Sequence, residues 1–494
     1  MIALSLDDIA GVVDGSLHLA AAPGTSGATT VSGPVETDSR EIVAGGLFVA
    51  KRGEHDDGHR FADAAAAAGA AALIVERPLP TPLPQIVVGD SVVALGALAT
   101  EVVRRVHDRG ALCTIGVTGS NGKTTTKNLL RAICSLAGPT VASRASFNNE
   151  VGGPVTMLEV TWDTRFLIAE MGASAAGDIA RLVAMAPPDV GVVLKVGLAH
   201  AGAFGGIERT AEAKAEMVTG LAETDTAVLN ADDPRVAAMA ARTRARVLTF
   251  GLEQADVRAT GVVTGPGGTD FELHLPDGQA SAVHFSVLGE HHVANALAAA
   301  AAAHALGIPI DTIVAGVQSI VRAERWRMEV LATHPLTVIN DAYNASPDSM
   351  AAALKALVQI APPGARTVAV LGEMTELGDF AADEHDAIGR LAVRFNIGQL
   401  LVVGAGAKRI HLAASMEGSW DGESLFAEDM AEAEELLADL LAPGDVVLIK
   451  SSNAAGLRVL GDRIGDAVRQ GAEQAARRDA ERDAEQYNEQ DPER

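Results

Sequence analysis

The stretch Ile115-Gly-Val-Thr-Gly119-Ser120-Asn121-Gly122-Lys123-Thr124-Thr125-Thr126 brings together the residue types that phosphate chemistry needs. Glycines let backbone N–H groups approach phosphate oxygens, and a helix start just beyond them adds positive potential. Lys123 is placed to reach terminal phosphates, and the Thr124 hydroxyl is a ligand that suits Mg²⁺. The spacing departs from the general G-x-x-x-x-G-K-[ST] pattern, because position 117 is Val and the first glycine of the loop is Gly119. A Gly-Lys-Thr triplet also recurs by chance, so the surroundings decide. The apolar run Ala111–Val117 predicts a buried strand before the loop, and Leu129, Leu130, Ile133 and Leu136 predict an amphipathic helix after it. Strand, turn and helix together predict a site for ATP or GTP.

Other reactive side chains fall where predicted elements end. The run Arg165–Gly172 reads as a second strand carrying Glu170, and a carboxylate at the carboxyl end of a parallel strand lies beside the phosphate loop, where it can hold Mg²⁺. A third strand, Asp189–Gly197, leads to His200, which is either a metal ligand or an ordinary loop residue. Lys214 lies in a predicted helix, Ile207 to Leu221, between Glu212 and Glu216. Neighbours two positions apart do not face one another on a helix, so Lys214 reads locally as a solvated lysine. The tandem His291-His292 lacks zinc spacing, since His304 lies 12 positions beyond, and reads as a helix-start loop. Thr37-Asp38-Ser39-Arg40 could bind a phosphate or a nucleotide-sugar, but on its residues alone reads better as an ordinary polar loop.

The elements that must position these groups form an α/β chain. Its 494 residues predict about three domains at roughly 150 residues each. Short strands (Leu47–Ala50, Ala72–Val75, Gln85–Val88) alternate with Ala-rich helix over residues 1–109, and the nucleotide domain spans 110–324. Within the latter, Ala255 to Val287 reads as an antiparallel insert. A further open, mainly parallel sheet (Thr367–Leu371, Leu400–Val403, Val446–Ile449) occupies 325–468. Residues 469–494 form a charged tail, a frayed helix or disordered. A net charge of -25 argues against nucleic acid or an anionic membrane as partner, so an anionic substrate needs a local basic pocket. Cys113 and Cys134 make no disulfide framework or metal pair, the N-terminus lacks a basic signal region, and Val293–Ile310 is interrupted by Asn295 and His304. A cytoplasmic chain without membrane insertion is expected.

Taken together, Thr118–Thr125, Phe147-Asn148-Asn149-Glu-Val-Gly152, Glu170-Met-Gly172, Val196–His200, Ala213-Lys214, His292-Val-Ala-Asn295, Arg327 and Asn340-Asp341-Ala-Tyr343-Asn344 resemble the motifs of the Mur ligase family. The resemblance runs from about residue 30 to about residue 460, and the phosphate loop matches the family's spacing. Phe147-Asn-Asn and Leu371-Gly-Glu-Met-Thr-Glu-Leu-Gly378 look like the member that adds D-alanyl-D-alanine. Asp38-Ser39-Arg40 and Gly46–Ala50 are shared with the member adding the third amino acid, whose Asp-Asn-Pro-Arg motif is absent here. One departure is Lys450-Ser-Ser-Asn453, where the family more often has Lys-Gly-Ser-Arg.

The resemblance implies three domains (a UDP-substrate domain, a phosphate-loop ATPase domain and a Rossmann-like domain) and an ATP-dependent amide ligase of cytoplasmic peptidoglycan precursor synthesis. ATP would phosphorylate the free carboxylate of UDP-MurNAc-tripeptide, and the amine of D-alanyl-D-alanine would displace phosphate from the acyl phosphate. Lys123 would act on the transferring phosphoryl group, Thr124 and Glu170 would hold one Mg²⁺, and His200 with N-carboxylated Lys214 a second. Asn295 would contact adenine, Arg327 and Asp341 the γ-phosphate and ribose. Ser39, Arg40, Asn148, Asn149, Tyr343 and Asn344 would contact substrate. A monomer is expected. Rival readings are another amide ligase of the superfamily (third-residue-adding or folylpolyglutamate synthase type) and a nucleotide-binding regulator without ligase activity.

Overall fold

The computed structural model describes residues 1–19, 25–53, 56–144, 146–198, 205–265, 267–321, 324–417 and 423–490. Its centre is a nine-stranded sheet in which Cys113–Thr118, the strand that enters the phosphate loop, pairs in parallel with Phe166–Glu170 on one side and Val190–Val193 on the other. Thr226–Asn230, Arg246–Gly251 and Val257–Gly265 continue the parallel run. Gly268–His274 and Ala280–Phe285 extend one edge as antiparallel strands, which places the expected insert there, and Thr140–Ala142 pairs in parallel with Phe166–Glu170 at the other edge. Strands covered on both faces must be apolar throughout, and Ile115, Val117, Ile168, Val192 and Val228 are all fully buried.

The helix Lys123–Ala137 buries Leu129, Leu130 and Ile133 against this sheet and against two helices, the Ala-rich Glu290–Ala305 and the shorter Ile310–Gln318. Leu136, expected on the same apolar face, is 58% exposed; the seam runs through positions 129, 130 and 133 and leaves 136 outside it. Small side chains let these helices approach closely. A Cβ added to Gly316 would lie 2.6 Å from the Ile133 Cα, which is why alanine and glycine rather than aromatics fill this layer.

Before the central sheet comes a five-stranded one, ordered Ser16–His18, Gln85–Val87, Ala72–Val75, Leu47–Val49, Val35–Glu36, with a two-stranded ribbon of Leu4–Ser5 and Thr30–Val31. The helix Ser91–His107 joins it to the centre, capped by the Asp90 carboxylate on the N–H groups of Val92 and Val93. After the central sheet comes a six-stranded one, parallel except for Glu329–Ala332 at its edge. The last described element is the helix Leu457–Gln490, which includes most of the expected tail. Among the described residues no helix is long and apolar enough to cross a membrane.

Candidate active site

The phosphate loop is shaped by close backbone approaches. At Gly122, with φ at +85°, a Cβ would lie 2.3 Å from Asn295 Oδ1, so glycine lets Asn295 reach the loop. The Ser120 N–H donates to the Lys195 carbonyl (2.8 Å), and its hydroxyl accepts from the Gly197 N–H (2.9 Å). These bonds tie the loop to the end of the neighbouring strand. Lys123 Nζ donates to the Gly119 carbonyl at 2.7 Å, which folds its ammonium back over the loop. Burial pulls the Lys123 pKa down, although the Glu170 carboxylate acts in the opposite direction.

Glu170 stands at the carboxyl end of its strand, as expected, and is buried. Its Oε1 accepts from Asn148 Nδ2 at 2.8 Å, while Oε2 is buried without a hydrogen-bond partner. The nearest cation to that oxygen is Lys127 Nζ, 4.0 Å away and fully buried. An orphaned carboxylate oxygen close to a threonine at the loop's helix start is a donor set that suits Mg²⁺. Among the described residues no trio of His, Cys, Asp or Glu converges as a self-sufficient metal cage.

The last sheet closes this site from the other side. Arg327 donates to Thr124 Oγ1 (3.2 Å), and its guanidinium lies 4.2 Å from the centroid of the Tyr343 ring. The Tyr343 hydroxyl meets Ser146 Oγ at 2.9 Å, and Ser346 Oγ donates to Asn121 Oδ1 at 3.2 Å. Lys195 pairs with Asp348 at 2.8 Å. Between these contacts lies a cleft with about 240 Å³ of open space, lined from below by Ser120 to Thr125, Asn148, Glu170 and Asn295. Arg327, Asp341, Tyr343 and Asn344 line it from above. Gly119 is not in the lining; its carbonyl is taken by Lys123. The basic pocket that an acidic chain needs is present, built from Lys123 and Arg327.

Several lining residues stand outside the site set expected from sequence, although Lys450 already heads the Lys450-Ser-Ser-Asn453 departure. Lys450, 2% exposed, donates to Asp341 Oδ2 (2.6 Å) and to the carbonyls of Asp341 (3.3 Å) and Asn344 (3.1 Å). It ends the strand Val446–Lys450, so the strand-end argument that selects Glu170 selects it equally well. Ser146 and Ser346 carry no such signal. His291 also lines the cleft; burial lowers it to about 4, and burial also holds the adjacent His292 well below the ordinary imidazole range, so both rings are neutral near pH 7.

The local reading of Lys214 as a solvated lysine is wrong. It is 3% exposed, and burial, aided by the nearby Lys123 charge, lowers its pKa to about 7. The helix Ile207–Thr219 turns this face inward, against a second cavity of about 380 Å³ that Lys123, Asn148, Asn149 and Arg181 also line. Lys123 and Asn148 thus face both cavities. Asn149 spends its side-chain oxygen on the Gly152 N–H (2.9 Å) and Val151 N–H (3.3 Å), fixing the turn into the next helix. His200 lies outside the described residues. Ser39 and Arg40 do not line the phosphate cleft; Arg40 is exposed and forks onto the Asp38 carboxylate at 2.6–3.1 Å, which pulls that acid down to about 2.

A phosphate loop at the end of a parallel sheet, capped by an arginine from a second α/β unit, defines a nucleotide-dependent phosphoryl-transfer enzyme in class. Three family descriptions cover successive parts of the chain: the Mur ligase family catalytic domain matches residues 34–107, the Mur ligase middle domain 117–303, and the Mur ligase glutamate ligase domain 326–453. The chain belongs to the Mur ligase family. It is 43% identical to the UDP-N-acetylmuramoyl-tripeptide–D-alanyl-D-alanine ligase of Mycobacterium tuberculosis, over 94% of this chain and 98% of that one. A crystal structure of MurF from Acinetobacter baumannii superposes with a TM-score of 0.84 at 30% identity, covering 94% of this chain and 99% of the other. MurF ligase from Thermotoga maritima in complex with ADP gives a TM-score of 0.76 at 29% identity, covering 89% and 98%.

Proposed function

We propose that this enzyme joins D-alanyl-D-alanine to the free carboxylate of UDP-MurNAc-tripeptide at the expense of ATP. The observation that carries the reading is the cleft itself, in which Lys123 and Arg327 approach from two different domains while Lys123 also faces a second cavity. The similarity to the Mycobacterium tuberculosis ligase over nearly all of both chains supports the choice of substrates.

The chemistry follows from charge. A carboxylate oxygen attacks the γ-phosphorus, ADP leaves, and the dipeptide amine then attacks the acyl carbon. Phosphate departs and the amine gives up a proton, leaving an amide. Attack of one anion on another requires cations fixed beforehand, because there is little covalent work for the protein to do. Lys123 and Arg327 supply them on this chain, and Tyr343 and Ser146 hold the arginine plane in place. Asn295 and Asp341 line the same cleft and would contact the adenine and the ribose. Closure of the last domain over the loop keeps water from an acyl phosphate it would hydrolyse.

Thr124 and Glu170 fit a Mg²⁺ ion, since Glu170 Oε2 is a buried acceptor without a hydrogen-bond partner. When bound, such an ion neutralises phosphate charge as transfer proceeds. Lys214 fits N-carboxylation: it is buried at the second cavity, and with its pKa lowered to about 7 a substantial share of its amine is in the neutral form that takes up CO₂ near pH 7. The carbamate would give a second ion an anionic oxygen ligand, together with His200. The half-buried Ser39 and the exposed Arg40 would serve the UDP end of the substrate. Phosphate release that requires UDP-MurNAc-tripeptide and D-alanyl-D-alanine together tests the reading; release with a glutamate or diamino-acid acceptor instead would overturn it.

A further inference from the structure

Arg327 sits in an uncommon turn. The residues on both sides of it, Trp326 at φ +61° and Met328 at φ +53°, are non-glycine residues in the left-handed region. Such a pair persists only where surrounding bonds over-determine it. Around Arg327 they do. The Trp326 N–H donates to Glu329 Oε2 (2.9 Å), the Trp326 carbonyl accepts from the Tyr343 N–H (3.1 Å), and the Met328 N–H donates to Asp341 Oδ1 (3.0 Å). Glu329 opens the hairpin that follows the turn, and Asp341 and Tyr343 lie just past its second strand, Thr337–Asn340.

One pin comes from far along the chain. The Trp326 indole N–H donates to both carboxylate oxygens of Asp462, at 3.1 and 3.0 Å. The same carboxylate accepts from Arg325 (3.0 Å) and from Asn340 Nδ2 (3.1 Å). Asp462 stands on the C-terminal helix, which is brought close by Gly461, where a Cβ would lie 2.4 Å from Asn340 Nδ2. Arg325 and Arg458 lie 4.6 and 5.4 Å from the indole centroid.

We propose that Asp462 is a positioning residue for the phosphoryl-transfer step: by fixing the Trp326 indole it sets the strained turn that aims Arg327 at the Thr124 end of the phosphate loop. The inference rests on the proposed function for Arg327's role in catalysis, but its effect on nucleotide affinity can be read without it. A displacement of about 1 Å at a positioned group costs about a hundredfold in rate, so a remote pin matters.

The test is a mutant cycle in the full-length enzyme, using Asp462→Ala, Trp326→Phe and Arg327→Ala alone and in pairs. Amide formation and MgATP affinity by calorimetry are both measured. Asp462→Ala and Trp326→Phe should each lower kcat about tenfold to a hundredfold and weaken MgATP. Added to Arg327→Ala, each should cost less than about twofold more, because the group it positions is already gone. Asp462→Asn, which keeps an acceptor for the indole, should recover most of the rate. Losses that multiply in the Arg327→Ala background, or single variants within about twofold of the parent, would overturn the proposal. If Asp462→Ala fails to fold, the Trp326→Phe arm decides. A parent that binds MgATP yet forms no amide would count against the proposed function, while the affinity cycle still judges Asp462.

Discussion

The central domain meets its two neighbours through joints of opposite character. Toward the N-terminal domain the joint is apolar: Leu95, Leu98 and Val102 of the connecting helix share one buried cluster with Leu47 and Ile74 on one side and Val155, Leu158 and Leu182 on the other. Toward the C-terminal domain it is mostly polar. Arg327 meets Thr124, Ser346 meets Asn121, Lys195 meets Asp348, and Lys355 meets Glu290 at 2.6 Å. Buried Leu288 and half-buried Leu198 are the central domain's apolar share of the C-terminal core. A shared core fixes two bodies relative to one another, whereas a polar interface can open and re-form. The reacting cleft lies at the polar joint. The contrast teaches that the N-terminal domain and the loop share one apolar platform, whereas the domain carrying Arg327 and Asp341 is joined to it by contacts that can break and re-form.

The largest effect should come from the platform's side of the cleft. Lys123→Ala removes the ammonium that the phosphate loop presents to the cleft and should lower amide formation about a thousandfold, with thermal unfolding unchanged. Near-normal turnover would remove the cleft from the chemistry altogether.

The apolar joint itself is tested by Leu98→Ala. Leu98 is fully buried, and its truncation should cost about 3 kcal/mol. Because the cluster is continuous, the loss should lower the unfolding of the N-terminal and central domains together. Separate transitions, seen by calorimetry, would contradict a common platform.

Lys214 shows what sequence reading can and cannot reach. The strand before the phosphate loop, the helix after it, Glu170 at its strand end and the antiparallel insert are legible because period and turn chemistry are local, whereas the lateral order of the strands is not. Burial of Lys214 is not legible, since charged residues on either side, Glu212 and Glu216, disguise an inward face. The structure sends those acids elsewhere: Glu216 accepts from the N–H groups of Gly177 (2.7 Å) and Ala180 (2.9 Å), and Glu212 pairs with Arg242 at 2.8 Å. Contacts across the polar joint, such as Ser146 with Tyr343, are equally hidden, because they join positions nearly two hundred residues apart that share no pattern. The family motifs marked Lys214 where local sequence did not.

The corresponding prediction is that Lys214→Ala loses about a hundredfold in activity, part of which formate or acetate restores by supplying a carboxylate oxygen. The sign of the pH effect follows from the lowered pKa. Carbamate needs the neutral amine, so at fixed dissolved CO₂ activity is present above about 7 and is lost as pH falls through that value. Full activity of the Ala variant, or a rate indifferent to CO₂, would sink the carbamate.

Arg40 belongs to the platform but not to the cleft. Arg40→Ala should raise KM for the UDP-substrate about tenfold and leave KM for ATP unchanged. An equal change in both would mean that the N-terminal site and the cleft are not separate, with the reservation that KM follows affinity only when chemistry is slower than dissociation.

The smallest effect sharpens the contrast between the joints most directly. Lys195 and Asp348 are half-exposed, with side chains 46% and 32% accessible, and they bridge the end of a central strand to the first turn of a C-terminal helix. A pair this wet contributes less than about 1 kcal/mol, so Lys195→Ala should leave unfolding nearly unchanged. Its consequence should appear in closure instead, as a rise of about twofold to fivefold in KM for ATP at low ionic strength. Salt screens exposed charges over about 10 Å at 0.1 M and about 3 Å at 1 M, so parent and variant should converge as salt is raised. Truncating Leu98 should show no such convergence, because burial of apolar surface is not screened. A salt-independent defect at Lys195 would mean that the second joint is as fixed as the first, and that closure of the C-terminal domain is not what delivers Arg327.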